Sequence, residues 1–161
     1  MKSNTKFLLF PCLLFSVLFF SVLFFTAGNS PAVEHLKTAV FAGGCFWCME
    51  ADFEKVPGII EVVSGYTGGT SNNPNYNNYG KSGHIEAVRI EYEPSVIKYR
   101  QLLDIFWVNI DPTDKEGQFC DRGHEYSSAI FFLTKDQQKL AAASKTLIEK
   151  SGILNLSLIH I

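Results

Sequence analysis

The order of apolar patterns along the chain restricts the fold more than any other feature of the sequence. Four short stretches rich in β-branched and aromatic residues predict strands, and three stretches with helical periodicity predict helices. The predicted strands are Thr38–Ala42, Ile59–Tyr66, His84–Tyr92 and Ser128–Leu133; the predicted helices are Cys45–Glu54, Pro94–Ile110 and Lys135–Lys150. The order β-α-β-β-α-β-α matches the split βαβ plan. We therefore expect an α/β fold of the two-layer α+β type, a ferredoxin-like plait with a mixed sheet and long functional loops at 67–83 and 111–126.

The first 28 residues have a different character from the rest of the chain. Lys2 and Lys6 precede an apolar run from Phe7 to Phe25, and small residues follow that run. This pattern is typical of a secretory signal peptide, although at roughly 20 residues the run is also nearly long enough to span a membrane. We expect residues 1–28 to direct export to the periplasm or another extracytoplasmic compartment, with a membrane anchor at residues 7–26 as the alternative. Residues 29–37 then form a linker to a domain at 38–155.

The charged residues exclude one class of partner. Removing Lys2 and Lys6 from the 14 lysines and arginines leaves 12 basic residues against 16 acidic ones. No basic patch or stripe stands out in the sequence, so we expect no nucleic-acid partner.

The last six residues look foreign to the domain. Residues 156–161 match one reading frame of the end sequence used in transposase-based DNA library preparation. We therefore expect Leu156–Ile161 to be non-native read-through and the domain to be truncated at its C-terminus.

The cysteines indicate a working thiol. Cys12 lies in the apolar run, and Cys45, Cys48 and Cys120 are too few for a disulfide framework. Cys45 follows a strand and the Gly43-Gly44 turn at the start of a helix, where unpaired N–H groups and the helix dipole stabilise a thiolate nucleophile. Cys48 lies one helical turn further on, at a spacing that can close a redox disulfide. The pair could also be half of a zinc site, but no second pair follows at suitable spacing, so we expect no metal.

Glu86 is the candidate general acid. Strand alternation puts it on one face with His84, Val88 and Ile90. A carboxyl group on an apolar face favours its protonated form, which can donate a proton. An exposed strand end is the alternative interpretation.

Other candidate residues lie beside the nucleophile and in the two loops. Phe46 and Trp47 could form an apolar cage for a methyl group, or belong to the core. Cys120 lies in a crowded polar loop with Asp121 and Tyr126. It could be a second nucleophile, a resolving thiol for Cys45, or simply a buried cysteine.

Four motifs, in the same order, resemble the type A methionine sulfoxide reductases. They are GGCFWCMEADFEKVPGIIEVVSGYTGG, NPNY, GHIEAVRIEYEP and QFCDRGHEYSSAIFF, and the match covers about residues 38–133 and continues weakly to about 155. The resemblance implies that Cys45 attacks the sulfur of methionine S-sulfoxide, free or in proteins, and becomes a sulfenic acid while Glu86 protonates the oxygen.

The resemblance also implies the remaining roles. Phe46 and Trp47 hold the substrate methyl group, and Tyr76, Asp121 and Tyr126 orient the sulfoxide oxygen or water. No bound cofactor is expected, because an external thioredoxin-type dithiol supplies the electrons.

The thiol that resolves the sulfenic acid stays open at this point. Many members of the family have glycine at the position of Cys48, and several use a cysteine near the C-terminus. Cys48, Cys120 and a cysteine missing from the C-terminus are therefore candidates, and proximity favours Cys48.

Two other functions compete with this one. A thioredoxin-like disulfide oxidoreductase would also use C-x-x-C after a strand, but the segments around Glu86 and Asp121 would have no role in such an enzyme. A secreted binding module with buried cysteines leaves the placement of Cys45 after two glycines unexplained.

Overall fold

The computed structural model describes residues 35–151 of the chain. The expected signal peptide or anchor and the expected read-through at 156–161 lie outside the described residues, as does most of the expected linker. The strands are β1 (Lys37–Ala42), β2 (Ile59–Thr67), β3 (Ile85–Tyr92), β4 (Gly117–Gln118), β5 (Asp121–Arg122) and β6 (Ala129–Phe131). The helices are α1 (Phe46–Phe53), α2 (Tyr99–Val108) and α3 (Lys135–Ser151), and short 3₁₀ turns occur at Gly80–Ser82 and His124–Tyr126.

The main sheet has four strands in the order β2-β3-β1-β6, and every neighbouring pair is antiparallel. The expectation of a mixed sheet is therefore wrong. β1 and β2 do run in the same direction, as the intervening helix suggests, but β3 lies between them and pairs with both in the opposite direction. No parallel pair forms because the crossover skips one strand position.

One face of this sheet carries the hydrophobic core. Phe41 of β1 is fully buried there, with its ring centroid 5.8 Å from that of Phe53 in α1 and 5.1 Å from that of Phe106 in α2. Removing so large a buried ring typically costs about 3–5 kcal/mol of stability. The helices thus pack against the face of the sheet to which Glu86, Val88 and Ile90 point.

Two helix starts illustrate how local hydrogen bonds set the boundaries. Thr134 caps α3 as predicted, because its hydroxyl accepts the Gln137 N–H at 3.1 Å. α2 begins at Tyr99 rather than at Pro94. The N–H groups of Val96 and Ile97 both bond to the carbonyl of Glu93 in a separate turn, which the chain must leave before the helix begins.

Within residues 35–151, none of the three helices combines the length and the apolar character needed to cross a membrane.

Candidate active site

Cys45 is the residue on which α1 begins. It is the N-cap of the helix, with an extended ψ of 117°, and its carbonyl accepts the N–H groups of Cys48 at 3.1 Å and Met49 at 3.2 Å. Its side chain is half-buried. The nucleophile candidate therefore lies at the start of the helix, as the sequence predicted, at the positive end of the helix dipole.

The two glycines before Cys45 are required by space and by backbone conformation. A Cβ on Gly43 would lie 2.7 Å from the sulfur of Met49, so the turn can pack directly onto α1 only without a side chain. Gly44 has a φ of +85°, and a Cβ there would lie 2.6 Å from the Cβ of Gln118. The glycine pair thus fixes where the nucleophile stands relative to the core and to the second loop.

Glu86 is bound to the residue that follows the nucleophile. Its side chain is 2% exposed, and its Oε2 accepts the backbone N–H of Phe46 at 2.9 Å. Its Oε1 accepts the hydroxyl of Tyr79 at 2.7 Å. The buried carboxyl group is therefore held by two donors beside the start of α1, which rules out the exposed strand end.

Aromatic rings line the space next to these two groups. Phe46 is buried, and its ring centroid lies 5.3 Å from that of Trp47 and 5.6 Å from that of Tyr66. Trp47 is 59% exposed and Tyr76 is 55% exposed, and their rings stack with centroids 5.8 Å apart. Phe46 thus belongs to the core as well as to the site, whereas Trp47 and Tyr76 form an open apolar wall.

From the sequence, Tyr79 was only one of three tyrosines, with Tyr66 and Tyr76, that could donate hydrogen bonds in or beside the first long loop. It is buried, it donates to Glu86, and its ring stacks on that of Tyr66 at 4.5 Å. Together with Tyr126 of the second loop, Tyr79 lines one cleft. Burial, followed by the hydrogen bond with Glu86, raises the pKa of Tyr79 far above that of a free tyrosine. The only sequence signal was its distance of seven residues from Glu86 in a tyrosine-rich loop.

His84 holds the first long loop against the sheet. Its Nδ1 accepts the N–H of Gly69 at 3.2 Å, so the ring proton is on Nε2, which lies 3.0 Å from the carbonyl of Ser71. A Cβ on Gly69 would lie 2.3 Å from the imidazole ring. The loop that supplies Tyr76 and Tyr79 therefore folds tightly over a buried histidine.

Gln118 fixes the second long loop, which contains the β4–β5 hairpin that the sequence patterns did not predict. Its side chain is 1% exposed; its Oε1 accepts the Asp111 N–H at 2.7 Å and its Nε2 donates to the Asp111 carbonyl at 2.8 Å. The same residue packs against Gly44. The hairpin therefore rests on the turn before Cys45.

The hairpin carries Asp121 and Cys120. The negative charge of Asp121 acts on both Cys48 and Tyr126, which puts it at the rim of the site. Cys120 is an exposed free thiol on the hairpin turn, so it is not a buried cysteine.

Cys48 is the cysteine that follows the nucleophile within α1, three residues further along the chain. It is an exposed free thiol whose backbone N–H donates to the carbonyl of Cys45 at 3.1 Å. Partial desolvation of its sulfur raises the pKa of Cys48, and the neighbouring Cys45 raises it further. The thiolate of Cys48 is therefore harder to form than that of a free cysteine.

A cleft of about 460 Å³ lies between the two long loops. Its walls come from both long loops and include Tyr76, Tyr79, Lys81, Glu125 and Tyr126. Among residues 35–151, no group of three or more His, Cys, Asp or Glu side chains is arranged to hold a metal ion.

Comparison with known proteins gives one consistent result. The family model described as "Peptide methionine sulfoxide reductase" matches residues 37–159. The chain is 52% identical over 122 residues to "Peptide methionine sulfoxide reductase MsrA" of Bacillus subtilis, covering 74% of this chain and 69% of that protein.

Solved structures share the fold. The reduced form of Mxr1 from Saccharomyces cerevisiae is similar with a TM-score of 0.69 and 28% identity, covering 78% of this chain and 75% of that one. Mxr1 in complex with Trx2 is similar with a TM-score of 0.54 and 24% identity, covering 84% of this chain and 79% of that one.

Proposed function

The chain belongs to the peptide methionine sulfoxide reductase family, and we propose that Cys45 and Glu86 carry out the reaction of that family here. The enzyme reduces methionine sulfoxide and so repairs oxidative damage to methionine. We assign the S epimer, both free and in proteins, as its substrate.

One observation carries the assignment of the two residues. The carboxyl group of Glu86 is bound to the N–H of Phe46, the residue directly after Cys45. The proton donor and the nucleophile are thereby held on either side of a single peptide unit, within reach of the oxygen and the sulfur of one sulfoxide group. The two hydrogen bonds of the buried carboxyl group come from a backbone N–H and a hydroxyl, and neither comes from a positively charged side chain.

The proposed reaction balances as follows. The thiolate of Cys45 attacks the sulfoxide sulfur while Glu86 gives its proton to the sulfoxide oxygen. The sulfur–oxygen bond of the substrate breaks, methionine leaves, and the hydroxyl group is transferred to Cys45 as a sulfenic acid. Methionine sulfoxide is reduced by two electrons, and Cys45 is oxidised by two.

The substrate is held by the open apolar wall and the polar rim. The S-methyl group packs against Phe46 and Trp47, because apolar rings favour a methyl group over the polar oxygen. Tyr76, Asp121 and Tyr126 orient the oxygen or a water molecule from the side of the cleft.

We propose Cys48 as the first resolving thiol. Its thiol group attacks the sulfenic sulfur of Cys45, forming a disulfide and releasing water. The position of Cys48 one helical turn from Cys45, with its N–H bonded to the Cys45 carbonyl at 3.1 Å, supports this choice over Cys120. An external thioredoxin-type dithiol then reduces the disulfide; the yeast protein crystallised with Trx2 suggests this class of partner.

Two broader assignments accompany this function. We propose the ferredoxin-like plait as the fold, since the strand order β2-β3-β1-β6 fits a split βαβ arrangement. We also propose export, supported by the basic start and apolar run of residues 2–25. A mature N-terminus near Asn29 in exported protein would support export, and Lys2 retained in soluble cytoplasmic protein would contradict it.

Cys45→Ser and Glu86→Gln test the function together. Cys45→Ser should abolish sulfoxide reduction with the fold intact, because a hydroxyl is almost never ionised at neutral pH. Glu86→Gln should lower the rate by about 10²- to 10⁴-fold, since it keeps the shape and removes the acid. Glu54 has an exposed carboxyl group at the C-terminal end of α1, so Glu54→Gln is the matched control and should keep the full rate.

The assay follows methionine formed from the S epimer of methionine sulfoxide in a single turnover, beside reduction of insulin disulfides. Sulfoxide reduction by Cys45→Ser, or an unchanged rate for Glu86→Gln, contradicts the assignment. Insulin reduction without sulfoxide reduction would favour the disulfide oxidoreductase instead.

A further inference from the structure

We propose that Tyr79 is a positioning residue that controls the protonation of Glu86. This inference rests on the proposed role of Glu86 as proton donor. It adds a residue that none of the motifs resembling the reductases assigns.

The placement of Tyr79 is set by packing on every side. Its hydroxyl donates to Glu86 Oε1 at 2.7 Å, and its ring stacks on Tyr66 with centroids 4.5 Å apart and planes 25° from parallel. Tyr66 is in turn the direct neighbour of Glu86 across strands β2 and β3. A residue held this closely keeps one orientation of the carboxyl group at little cost in entropy.

The direction of the hydrogen bonds follows from counting protons. A tyrosine hydroxyl has one proton, and Tyr79 gives it to Glu86. That proton is therefore not available to a second acceptor. Tyr79 and Tyr126 both line the 460 Å³ cleft, so Tyr79 itself connects the cleft with the buried acid.

The other titratable groups near Tyr79 and Glu86 come from several elements. Tyr66 extends from β2, Tyr76 from the first loop, Asp121 from the hairpin, and Cys45 from the start of α1. None of these four groups is fully buried, whereas Tyr79 is 7% exposed, so Tyr79 supplies the hydrogen bond that is shielded from water on the loop side of the carboxyl group.

Two consequences follow for catalysis. After Glu86 has given its proton to the substrate oxygen, the donors from Tyr79 and Phe46 stabilise the carboxylate that remains, since hydrogen bonds to a charged acceptor are the stronger ones. Because Tyr79 also lines the cleft, its hydroxyl can pass its proton to the carboxylate and receive another from the cleft, so the tyrosine does not change its charge. Tyr79 thereby influences both the loss and the recovery of the proton.

Tyr79→Phe is the direct test, because it removes the hydroxyl and keeps the ring stacked on Tyr66. The carboxylate of Glu86 loses a donor, so the protonated acid persists to higher pH. The alkaline limb of the single-turnover rate profile for sulfoxide reduction should therefore move up by roughly one pH unit, the effect expected for one hydrogen bond to a charged group. A purely structural role would lower the rate evenly at all pH values.

A double-mutant cycle separates this inference from the proposed function. In the Glu86→Gln background, Tyr79→Phe should change the rate by less than about twofold, because the group through which Tyr79 acts is absent. An equal loss in both backgrounds, or an unmoved alkaline limb, overturns the role of Tyr79 and leaves that of Glu86 standing. If Glu86→Gln alone did not lower the rate, that result would contradict the proposed function instead.

Tyr99→Phe is the matched control, since Tyr99 has a buried hydroxyl without a hydrogen-bond partner in α2. It should leave the pH profile unchanged. Should Tyr79→Phe fail to fold, 3,5-difluorotyrosine placed at position 79 keeps the shape and makes the hydroxyl a stronger donor. The limb should then move to lower pH, and a shift in the other direction or none would overturn the proposal.

Discussion

Gln118→Met tests whether one buried amide fixes the second active-site loop. Methionine keeps the length of the side chain and its contact with Gly44, but it has no group that can replace the amide. Three hydrogen bonds are lost: from the Asp111 N–H at 2.7 Å, to the Asp111 carbonyl at 2.8 Å and to the Gly117 carbonyl at 2.8 Å.

The expected cost can be worked from those bonds. Each neutral hydrogen bond contributes about 0.5–1.5 kcal/mol, and a partly buried N–H left without a partner adds to the loss. Since water can reach Asp111 in part, we expect a total of about 2–4 kcal/mol in the free energy of unfolding. With a urea m-value of about 2 kcal/mol per M, the unfolding midpoint should fall by roughly 1–2 M.

Urea unfolding followed by circular dichroism measures the midpoint, and single-turnover sulfoxide reduction measures the site. Gln138→Met, on the outer part of α3, is the control and should change stability by less than about 0.5 kcal/mol. The rate should fall in Gln118→Met because Asp121 and Tyr126 lose their fixed distance from Cys45. A midpoint equal to that of the wild type would refute the idea that the amide holds the loop.

Three shorter predictions concern the rest of the site. Gly69→Ala should lower the melting temperature and the rate together, because a Cβ would lie 2.3 Å from the ring of His84; an unchanged melting curve would contradict this. Trp47→Ala should raise KM for peptide substrates with little effect on stability, since the ring is 59% exposed and stacks on Tyr76; a lower KM in steady-state kinetics would argue against the apolar wall. Disulfide formation after one equivalent of sulfoxide should become faster between pH 7 and pH 9, because the pKa of Cys48 is raised and its thiolate is scarce at neutral pH. Stopped-flow traces that do not depend on pH would exclude Cys48 as the resolving thiol. Peptide mapping that finds no disulfide to Cys48 would exclude it as well.

The parts of the fold that depend on local pattern could be predicted from the sequence. Strand alternation placed Glu86 on the buried face of β3, and the glycine pair placed Cys45 at the start of α1. Both are consequences of periodicity and of backbone geometry within a few residues, which a single sequence contains.

The parts that depend on distant contacts could not be predicted in this way. The hairpin of β4 and β5 has strands of two residues, too short to show alternation, and it is held by Gln118 and by Gly44 from far along the chain. The prediction of a mixed sheet was wrong for a related reason. The direction of each neighbouring strand depends on which strand inserts between β1 and β2, and here that strand is β3. Tyr79 was passed over because its importance comes from one hydrogen bond to Glu86 that no spacing rule indicates.

The bond between Phe46 and Glu86 has a consequence for how this site can change. Because the donor is a backbone N–H, the link survives any substitution of the side chain at position 46 that leaves α1 in place. Any substitution at position 46 that the surrounding core accommodates can therefore change the side chain that faces the substrate without uncoupling acid from thiol. Substrate preference and proton transfer are thus two separately adjustable properties of the same residue, one residing in its side chain and the other in its main chain.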